Sequence, residues 1–311
     1  MISQQKILIL GSNGFIGRRL HSILLEKKLQ VITADITGKV DISIDALDKA
    51  KVFETINRFK PDCIVNLLGY TDNEQPDRIY ETNILPFIYI ATALTKLKLN
   101  TRVVIISSAA EYGDSDSTDG SLKENDPKKP VSHYGAAKYV QTMIGQLYHV
   151  QQKMDVVVAR PFNIIGNGMS AKLVPACFIE KFLKHPGTQK ITIIKTKNLD
   201  TIRDFLSLDD VVKGLYKVIT VGRSGEVYNI CSGEGISIRT MFAMVAKEFS
   251  GINYEISEDI SDREKNIIIN SVGNNSKLKE LGWKQEDSIE TVIRNLISEK
   301  KKNPYFGNVY L

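Results

Sequence analysis

Short β-branched runs alternate with amphipathic stretches through the first half of the chain. Lys6–Leu10 (KILIL), Gln30–Ala34 (QVITA), Asp62–Leu68 (DCIVNLL), Arg102–Ser107 (RVVIIS) and Asp155–Ala159 (DVVVA) read as strands. Their apolar positions follow one another without strict alternation, as in strands buried on both faces of a sheet. Between them, Arg18–Glu26, Ile44–Phe59, Ile84–Leu97 and Tyr134–Val150 repeat apolar residues at helical spacing. Such alternation requires right-handed crossovers and a parallel sheet. The pattern predicts a doubly wound α/β fold.

Beyond about Arg160 the rhythm changes. A Gly- and Pro-containing segment from Pro161 to Pro175 leads to a helix near Ala176–Lys184 and a strand at Lys190–Ile194. A short strand at Glu226–Ile230 precedes a helix from Ser237 to Phe249, and Ser288–Lys301 is the last helix. The basic run Glu299–Lys302 reads as a solvated helix end whose lysines complement the helix dipole. No repeat or low-complexity tether marks a boundary. We therefore expect a parallel-sheet domain over residues 1–165, with a returning segment near 201–222. Residues 166–311 are expected to form mainly a smaller, mixed α/β lobe.

Composition narrows the class. The 311 residues are 42% hydrophobic and 25% charged, ordinary for a globular protein. A net charge of +5 is mild at this length and indicates no nucleic-acid partner. No apolar run approaches the roughly 18 residues of a membrane span. Met1–Leu10 shows no cleavage site and flows into a glycine motif, so it reads as a first strand and not a signal peptide. Three separated cysteines (Cys63, Cys177, Cys231) suggest reduced thiols in the cytoplasm, and the four scattered histidines have no metal-ligand spacing.

Gly11-Ser12-Asn13-Gly14-Phe15-Ile16-Gly17 follows a strand and opens a helix, the context of a dinucleotide fingerprint. Glycines permit the tight turn and the close approach of backbone to a pyrophosphate. The helix then turns its free N–H groups and positive dipole end towards the phosphates. Asp35 ends the second strand 24 positions after Gly11, near the ~20 of a ribose-binding acid. A carboxylate there accepts from the ribose hydroxyls and repels a 2′-phosphate, which favours NAD over NADP. Arg18 and Arg19, just past the loop, pull the other way and keep NADP open.

Tyr134-Gly135-Ala136-Ala137-Lys138 places a phenol and an ammonium on one helix face. An adjacent ammonium favours the phenolate and lowers the phenol pKa towards a working range. With 12 tyrosines such a spacing arises about once by chance, so context decides. Ser107-Ser108-Ala109-Ala110-Glu111-Tyr112-Gly113 directly follows the strand at 102–106, and ligands of open parallel sheets bind beyond such strand ends. There a serine hydroxyl can hydrogen-bond a substrate oxygen beside the tyrosine; alone it would read as turn chemistry.

Taken together, these motifs resemble the extended short-chain dehydrogenase/reductase family, in its nucleotide-sugar branch, over nearly the whole chain. The resemblance implies a Rossmann domain binding NAD(P), with Ser108, Tyr134 and Lys138 as the catalytic triad. Ser108 is singled out by standing four before the Tyr112-Gly113 pair. Val40-Asp41-Ile42 matches the adenine-contacting element, Leu67-Leu68-Gly69 the strand end beside the cofactor, and Asn83 the supporting asparagine. In Arg160-Pro161-Phe162-Asn163, Pro161 is implied to flank the nicotinamide and Asn163 to hold the sugar-nucleotide pyrophosphate. Arg203-Asp204-Phe205 followed by Asp209-Asp210-Val211 resembles the returning segment. Asp262-Arg263 and the later Ser276-Lys277-Leu278…Leu281-Gly282-Trp283 resemble the C-terminal signature. Arg203 and Arg263 would meet the diphosphate, although Arg203 can also be read as a structural salt-bridge residue. Tyr70 is read either as lining the sugar pocket or as a core aromatic.

The family divides into reductases, epimerases and 4,6-dehydratases. Dehydratases carry carboxylates immediately after the catalytic Ser/Thr; here Ala109 and Ala110 stand there, and Glu111 is expected to face elsewhere. The path Asp35 to Asp41, then Phe53 to Asp62, and Arg160–Gly168 (RPFNIIGNG) resemble reductases of GDP-4-keto-6-deoxymannose. Gly166-Asn167-Gly168 departs from their usual Gly-Pro-Gly. The expected activity is reduction at C4 of a nucleotide-linked 4-keto-6-deoxyhexose. NAD-dependent 4-epimerisation is the alternative, ahead of dehydration or a non-catalytic dinucleotide sensor. The family also implies a homodimer through the helices at 84–97 and 134–150, although packing within the monomer explains their apolar faces equally well; composition and spacing point to no nucleic-acid, membrane or metal partner.

Overall fold

The computed structural model describes residues 5–115, 120–184, 192–196, 198–249, 251–258 and 268–302. The chain runs β1 (Lys6–Leu10), α1 (Phe15–Glu26), β2 (Gln30–Asp35), β3 (Ile42–Ser43), α2 (Lys49–Phe59), β4 (Cys63–Asn66), α3 (Pro76–Leu97) and β5 (Arg102–Ile106). A 3-10 turn (Ala109–Glu111), α4 (His133–Gln152), β6 (Val156–Pro161), β7 (Asn163–Ile165) and α5 (Val174–Leu183) follow. Next come β8 (Thr192–Thr196), β9 (Ile202–Ser207), α6 (Leu208–Val221), β10 (Val227–Ile230) and β11 (Gly235–Ser237). The described chain ends with α7 (Ile238–Lys247), β12 (Tyr254–Glu258), β13 (Asn270–Ser271), α8 (Ser276–Glu280) and α9 (Ile289–Lys302).

Seven strands form one parallel sheet in the order β10-β6-β5-β4-β1-β2-β3. Alternate residues of each strand enter opposite apolar layers, which is why no hydrophobic alternation shows in the sequence. Ile7 and Ile9 pack with Leu20, Leu24, Leu215 and Val218 of α1 and α6. Leu8 and Leu10 pack on the other face with Val52, Ile56, Phe87 and Leu94 of α2 and α3. After β3 the chain returns across β1 to lay down β4. That reversal opens a crevice at the carboxyl ends of β1 and β4.

Local chemistry moves several element boundaries away from the sequence expectation. Helix α2 starts at Lys49 and not at 44, because the Asp48 carboxylate caps it by accepting from the N–H groups of Ala50 and Lys51. Helix α3 starts at Pro76, eight residues ahead of the expected start, with proline in the first turn where no N–H is needed. Helix α6 is absent from the periodicity reading; Ser207 caps it by accepting from Asp210 N. Strand β10 joins the main sheet beside β6, after the chain has already visited the second lobe. The expected strand at 190–194 begins outside the described residues; the described strand is Thr192–Thr196.

The second lobe combines a four-stranded sheet (β11-β9-β13, with β7 on β9) and the β8–β12 pair. Its core is rich in phenylalanine, with Phe182 stacked on Phe249 at 5.0 Å between ring centroids. The chain then returns to the first lobe through α8 and Trp283. That indole is 2% exposed, packs in the layer of α1 and α6, and donates Nε1–H to Asp210 O over 3.0 Å. No helix among the described residues is long and apolar enough to cross a membrane.

Trp283 is thus a bolt between the C-terminal segment and the dinucleotide-type domain. Trp283→Ala is expected to cost about 3–5 kcal/mol in urea unfolding, and a loss below about 1 kcal/mol would show that the return contributes little.

Candidate active site

The glycine loop is shaped by what cannot be added to it. Gly11 has φ +82°, and a Cβ there would stand 3.2 Å from the Leu67 carbonyl carbon of the β4 end. At Gly17 a Cβ would stand 2.3 Å from Gly11 O and 2.8 Å from Ser12 Cα. Helix α1 therefore sits directly on the turn. Gly14 caps the helix with no side-chain acceptor, so the first-turn N–H groups open onto the crevice. Bare backbone and a positive dipole end form a cradle that fits a pyrophosphate.

Asp35 is held at the end of β2 by backbone donors. Its Oδ2 accepts from Asn13 N over 2.9 Å and its Oδ1 from Ile36 N over 2.8 Å. The Asn13 side chain donates to Thr37 O, fastening the loop. Asp41 accepts from Thr33 N and Thr33 Oγ1, each over 2.8 Å, and these bonds hold its carboxyl below the usual range. Ile42 pairs with Ala34, so the Asp41–Ile42 element is sewn to β2 beside Asp35. Of the two basic residues, Arg19 is taken up by Asp209, in a bidentate pair of 2.7 and 2.8 Å. Arg18 leans towards Gly168, where an added Cβ would lie 3.0 Å from its guanidinium.

A cavity of about 820 Å³ runs from Gly11, Gly14–Gly17, Leu67 and Gly69 past Ser108 and Tyr134 to Asn163 and Arg203. Ser108 begins the 3-10 turn, its Oγ accepting from Ala110 N over 3.2 Å. Helix α4 starts at a Ser132 cap and carries Tyr134 and Lys138 on one face. The Lys138 Nζ lies 5.9 Å from the Tyr134 ring centroid and donates to Ile106 O over 2.9 Å and to Leu68 O over 3.4 Å. Burial pushes this ammonium down to about 8, opposed by Glu111. Burial also pushes the Tyr134 phenol up, opposed by its hydrogen bond with Ser108. The sequence expectation was a phenol lowered by the ammonium. In the structure the ammonium is turned into strand-end carbonyls, and desolvation dominates the phenol.

The other expected residues divide. Pro161 ends β6, and Asn163 lines the cavity while donating Nδ2 to Asp204 O over 2.8 Å. Arg203 also lines the cavity and donates Nη1 to Ile202 O over 2.8 Å; among the described residues no carboxylate pairs with it. Burial lowers its pKa. Asn83 braces the loop after β4 by donating to Tyr70 O and Ile79 O. Tyr70 does not reach the cavity wall: Arg78 covers its ring at 4.4 Å, and Gly69 and Thr71 form the wall instead. Arg263, with Asp262, lies outside the described residues. Ala109 and Ala110 do face the cavity, whereas Glu111 is wholly buried. Phe205 of the Arg203-Asp204-Phe205 segment also lines it, as do Thr71 and Met169, which belong to no spaced motif. No group of residues that could hold a metal occurs among the described residues.

Residues 7–231 match the model of the NAD dependent epimerase/dehydratase family. The chain belongs to that family. It is 30% identical over 302 residues to the GDP-6-deoxy-D-talose 4-dehydrogenase of Aggregatibacter actinomycetemcomitans, covering 96% of this chain and 97% of the relative. It is 23% identical over 300 residues to the GDP-6-deoxy-D-mannose reductase of Pseudomonas aeruginosa, covering 95% and 97%. Among solved structures, RMD from Pseudomonas aeruginosa complexed with NADPH matches with a TM-score of 0.84 at 23% identity, covering 96% of this chain and 99% of that one. The UDP-glucose 4-epimerase of Thermus thermophilus in complex with NAD matches at 0.83 and 22% identity, covering 96% and 100%. The doubly wound fold and the family expected from the sequence are those found.

Gly17 offers a sharp test of the cradle in this family member. Gly17→Ala has no room and should lift α1 off the turn, weakening NADH binding at least tenfold in a fluorescence titration. Unchanged affinity would show that the helix position is not what makes the site.

Proposed function

We propose that the chain is a cytoplasmic, homodimeric NAD(P)H-dependent reductase of a nucleotide-linked 4-keto-6-deoxyhexose, acting at C4. The observation that carries this is the content of the cavity beside Ser108. Tyr134 stands there as a proton donor with Lys138 behind it, while the two positions after Ser108 are alanines with no proton for a departing C6 hydroxyl. Such a site suits carbonyl reduction and leaves dehydration without its acid. The relatives that act on GDP-linked 6-deoxy sugars support the same class.

The cofactor would lie with its pyrophosphate on Gly11–Gly17, its ribose at Asp35 and its nicotinamide between Pro161 and Tyr134. Donation of hydride to the C4 carbonyl is the chemistry it supplies when bound. Tyr134 gives its proton to the oxygen at C4 as negative charge develops there. The Ser108 hydroxyl donates to the same oxygen and stabilises that charge. Lys138 would hold the nicotinamide ribose and keep positive charge behind the phenol. Asn163 and Arg203 would hold the diphosphate, the guanidinium pairing with two phosphate oxygens. Asp35, with Arg19 already paired to Asp209, favours NAD. The exposed apolar side chains Met143, Leu147 and Val150 on α4 suit a dimer formed through α3 and α4.

One observation favours a second reading, 4-epimerisation. The carboxylate at Asp35 suits a tightly held NAD that is regenerated within each turnover. Incubation with NADH or NADPH and a panel of 4-keto-6-deoxy nucleotide sugars separates the two. The reductase consumes one reduced cofactor per sugar; interconversion of an ordinary nucleotide sugar with no net consumption would establish the epimerase instead. Tyr134→Phe should cost about 10²–10⁴-fold in kcat, whereas a sensor would keep its function.

The pH dependence follows from Lys138. Its proton is present below about 8 and lost above, so kcat/KM is expected to fall on the alkaline side. In Lys138→Arg the cation persists throughout the working pH range, and the residual activity should keep no alkaline limb near 8. A limb that stays in place assigns that titration to another group.

A further inference from the structure

Beneath the turn that carries Ser108 lies an ion pair closed to solvent. The Arg160 and Glu111 side chains are 1% and 0% exposed, and Arg160 donates to the Glu111 Oε2 over 2.7 Å. The other carboxylate oxygen accepts from Ser107 Oγ and, over 2.6 Å, from Thr142 Oγ1. Arg160 also donates to the Tyr112 hydroxyl over 2.8 Å, and that hydroxyl donates to Asn229 Oδ1. Taking two charges out of water is expensive, and an apolar pair of the same volume would fill the core at least as well. The packing of this core therefore does not explain the pair.

Its neighbours do. Ser107 directly precedes Ser108. Thr142 lies one helical turn beyond Lys138 and two beyond Tyr134, on the same face of α4. Arg160 directly precedes Pro161 on the strand that leads to Asn163. The charged groups that face the carboxylate are Arg160 from β6, Lys138 from α4 and Lys128 from the loop after the 3-10 turn. Glu124 of that loop faces the Tyr112 side of the network. Glu111 is the one charge that offsets the burial of Lys138.

We propose that the Glu111–Arg160 pair is the positioning element of this active site. It clamps the Ser108 turn to the Tyr134–Lys138 face of α4 and to the end of β6. This rests on Ser108, Tyr134 and Lys138 being the catalytic set. Neither Glu111 nor Arg160 touches the cavity, so both act through the residues they hold.

The test replaces both charges, because Glu111→Gln alone strands a buried guanidinium. Glu111→Leu/Arg160→Met should fold with a near-native melting temperature and bind NADH within about threefold of the native affinity, yet lose at least tenfold in kcat, in keeping with misplaced reacting groups. Removing the carboxylate takes away negative charge that favours the protonated forms of Lys138 and Tyr134. The alkaline limb of kcat should accordingly move to lower pH. The Tyr134 phenol, followed by carbon-13 tyrosine NMR and assigned through Tyr134→Phe, should also titrate lower. That titration needs no substrate, so a lowered Tyr134 supports the clamp even where reduction of 4-keto sugars fails. A folded double variant with native kcat and an unmoved Tyr134 titration overturns it. If the double variant does not fold, Thr142→Val removes one bond to Glu111 and leaves the ion pair. Loss of kcat with an intact melting temperature then supports the clamp, and native kcat overturns it.

Discussion

Seven strands that all point one way, with a single reversal of order between β1 and β4, are the constraint on which the rest of this molecule depends. Parallel strands deliver their carboxyl ends to one side, and the reversal leaves that side uncovered at its middle. Gly11 follows β1 there, Asp35 ends β2, Gly69 follows β4, Ser108 follows β5 and Pro161 ends β6. Helix α4 adds Tyr134 and Lys138 by crossing back beside β5 and β6. The missing Cβ of Gly17 completes the arrangement, since it lets α1 rest on the turn and direct its N-terminus into the crevice.

Reactivity in this site comes from burial more than from proximity of charge. Desolvation moves Lys138 down and Tyr134 up, so the ammonium gives up its proton more readily and the phenol less readily than in water. Their separation leaves the ammonium free to bond strand-end carbonyls while still standing behind the ring. The apolar step after Ser108 matters as much. With methyl groups at Ala109 and Ala110, Tyr134 is the acidic side chain that lines the cavity beside Ser108 among the described residues. The carboxylate at Glu111 is spent inward, on Arg160.

Much of this was legible in the sequence, for physical reasons. Doubly buried strands announce themselves as β-branched runs, and the glycine loop, Asp35 and the Tyr-x-x-x-Lys helix each carry their own spacing. What stayed hidden depends on contacts between distant segments. The strand at 227–230 looks like part of the second lobe until it pairs with β6. Helix α6 is masked by the acidic start that in fact suits its N-terminus. Tyr70 is read either as pocket or as core, and Arg78 over its ring is a partner with no sequence signature. Glu111 and Arg160 lie 49 positions apart and meet only because β5 and β6 are neighbours. Arg263 falls outside the described residues, so its expected contact with phosphate stands as an expectation.

In the proposed reductase, hydride enters the sugar at C4 and stays there. The most direct measurement supplies reduced cofactor deuterated at both nicotinamide C4 positions together with a 4-keto-6-deoxy nucleotide sugar, and reads the product by proton NMR. Reduction at C4 gives loss of the H4 signal, deuterium at C4 and one oxidised cofactor per sugar. A product with H4 fully protonated, or a C4-inverted sugar formed with the cofactor unchanged, would contradict it.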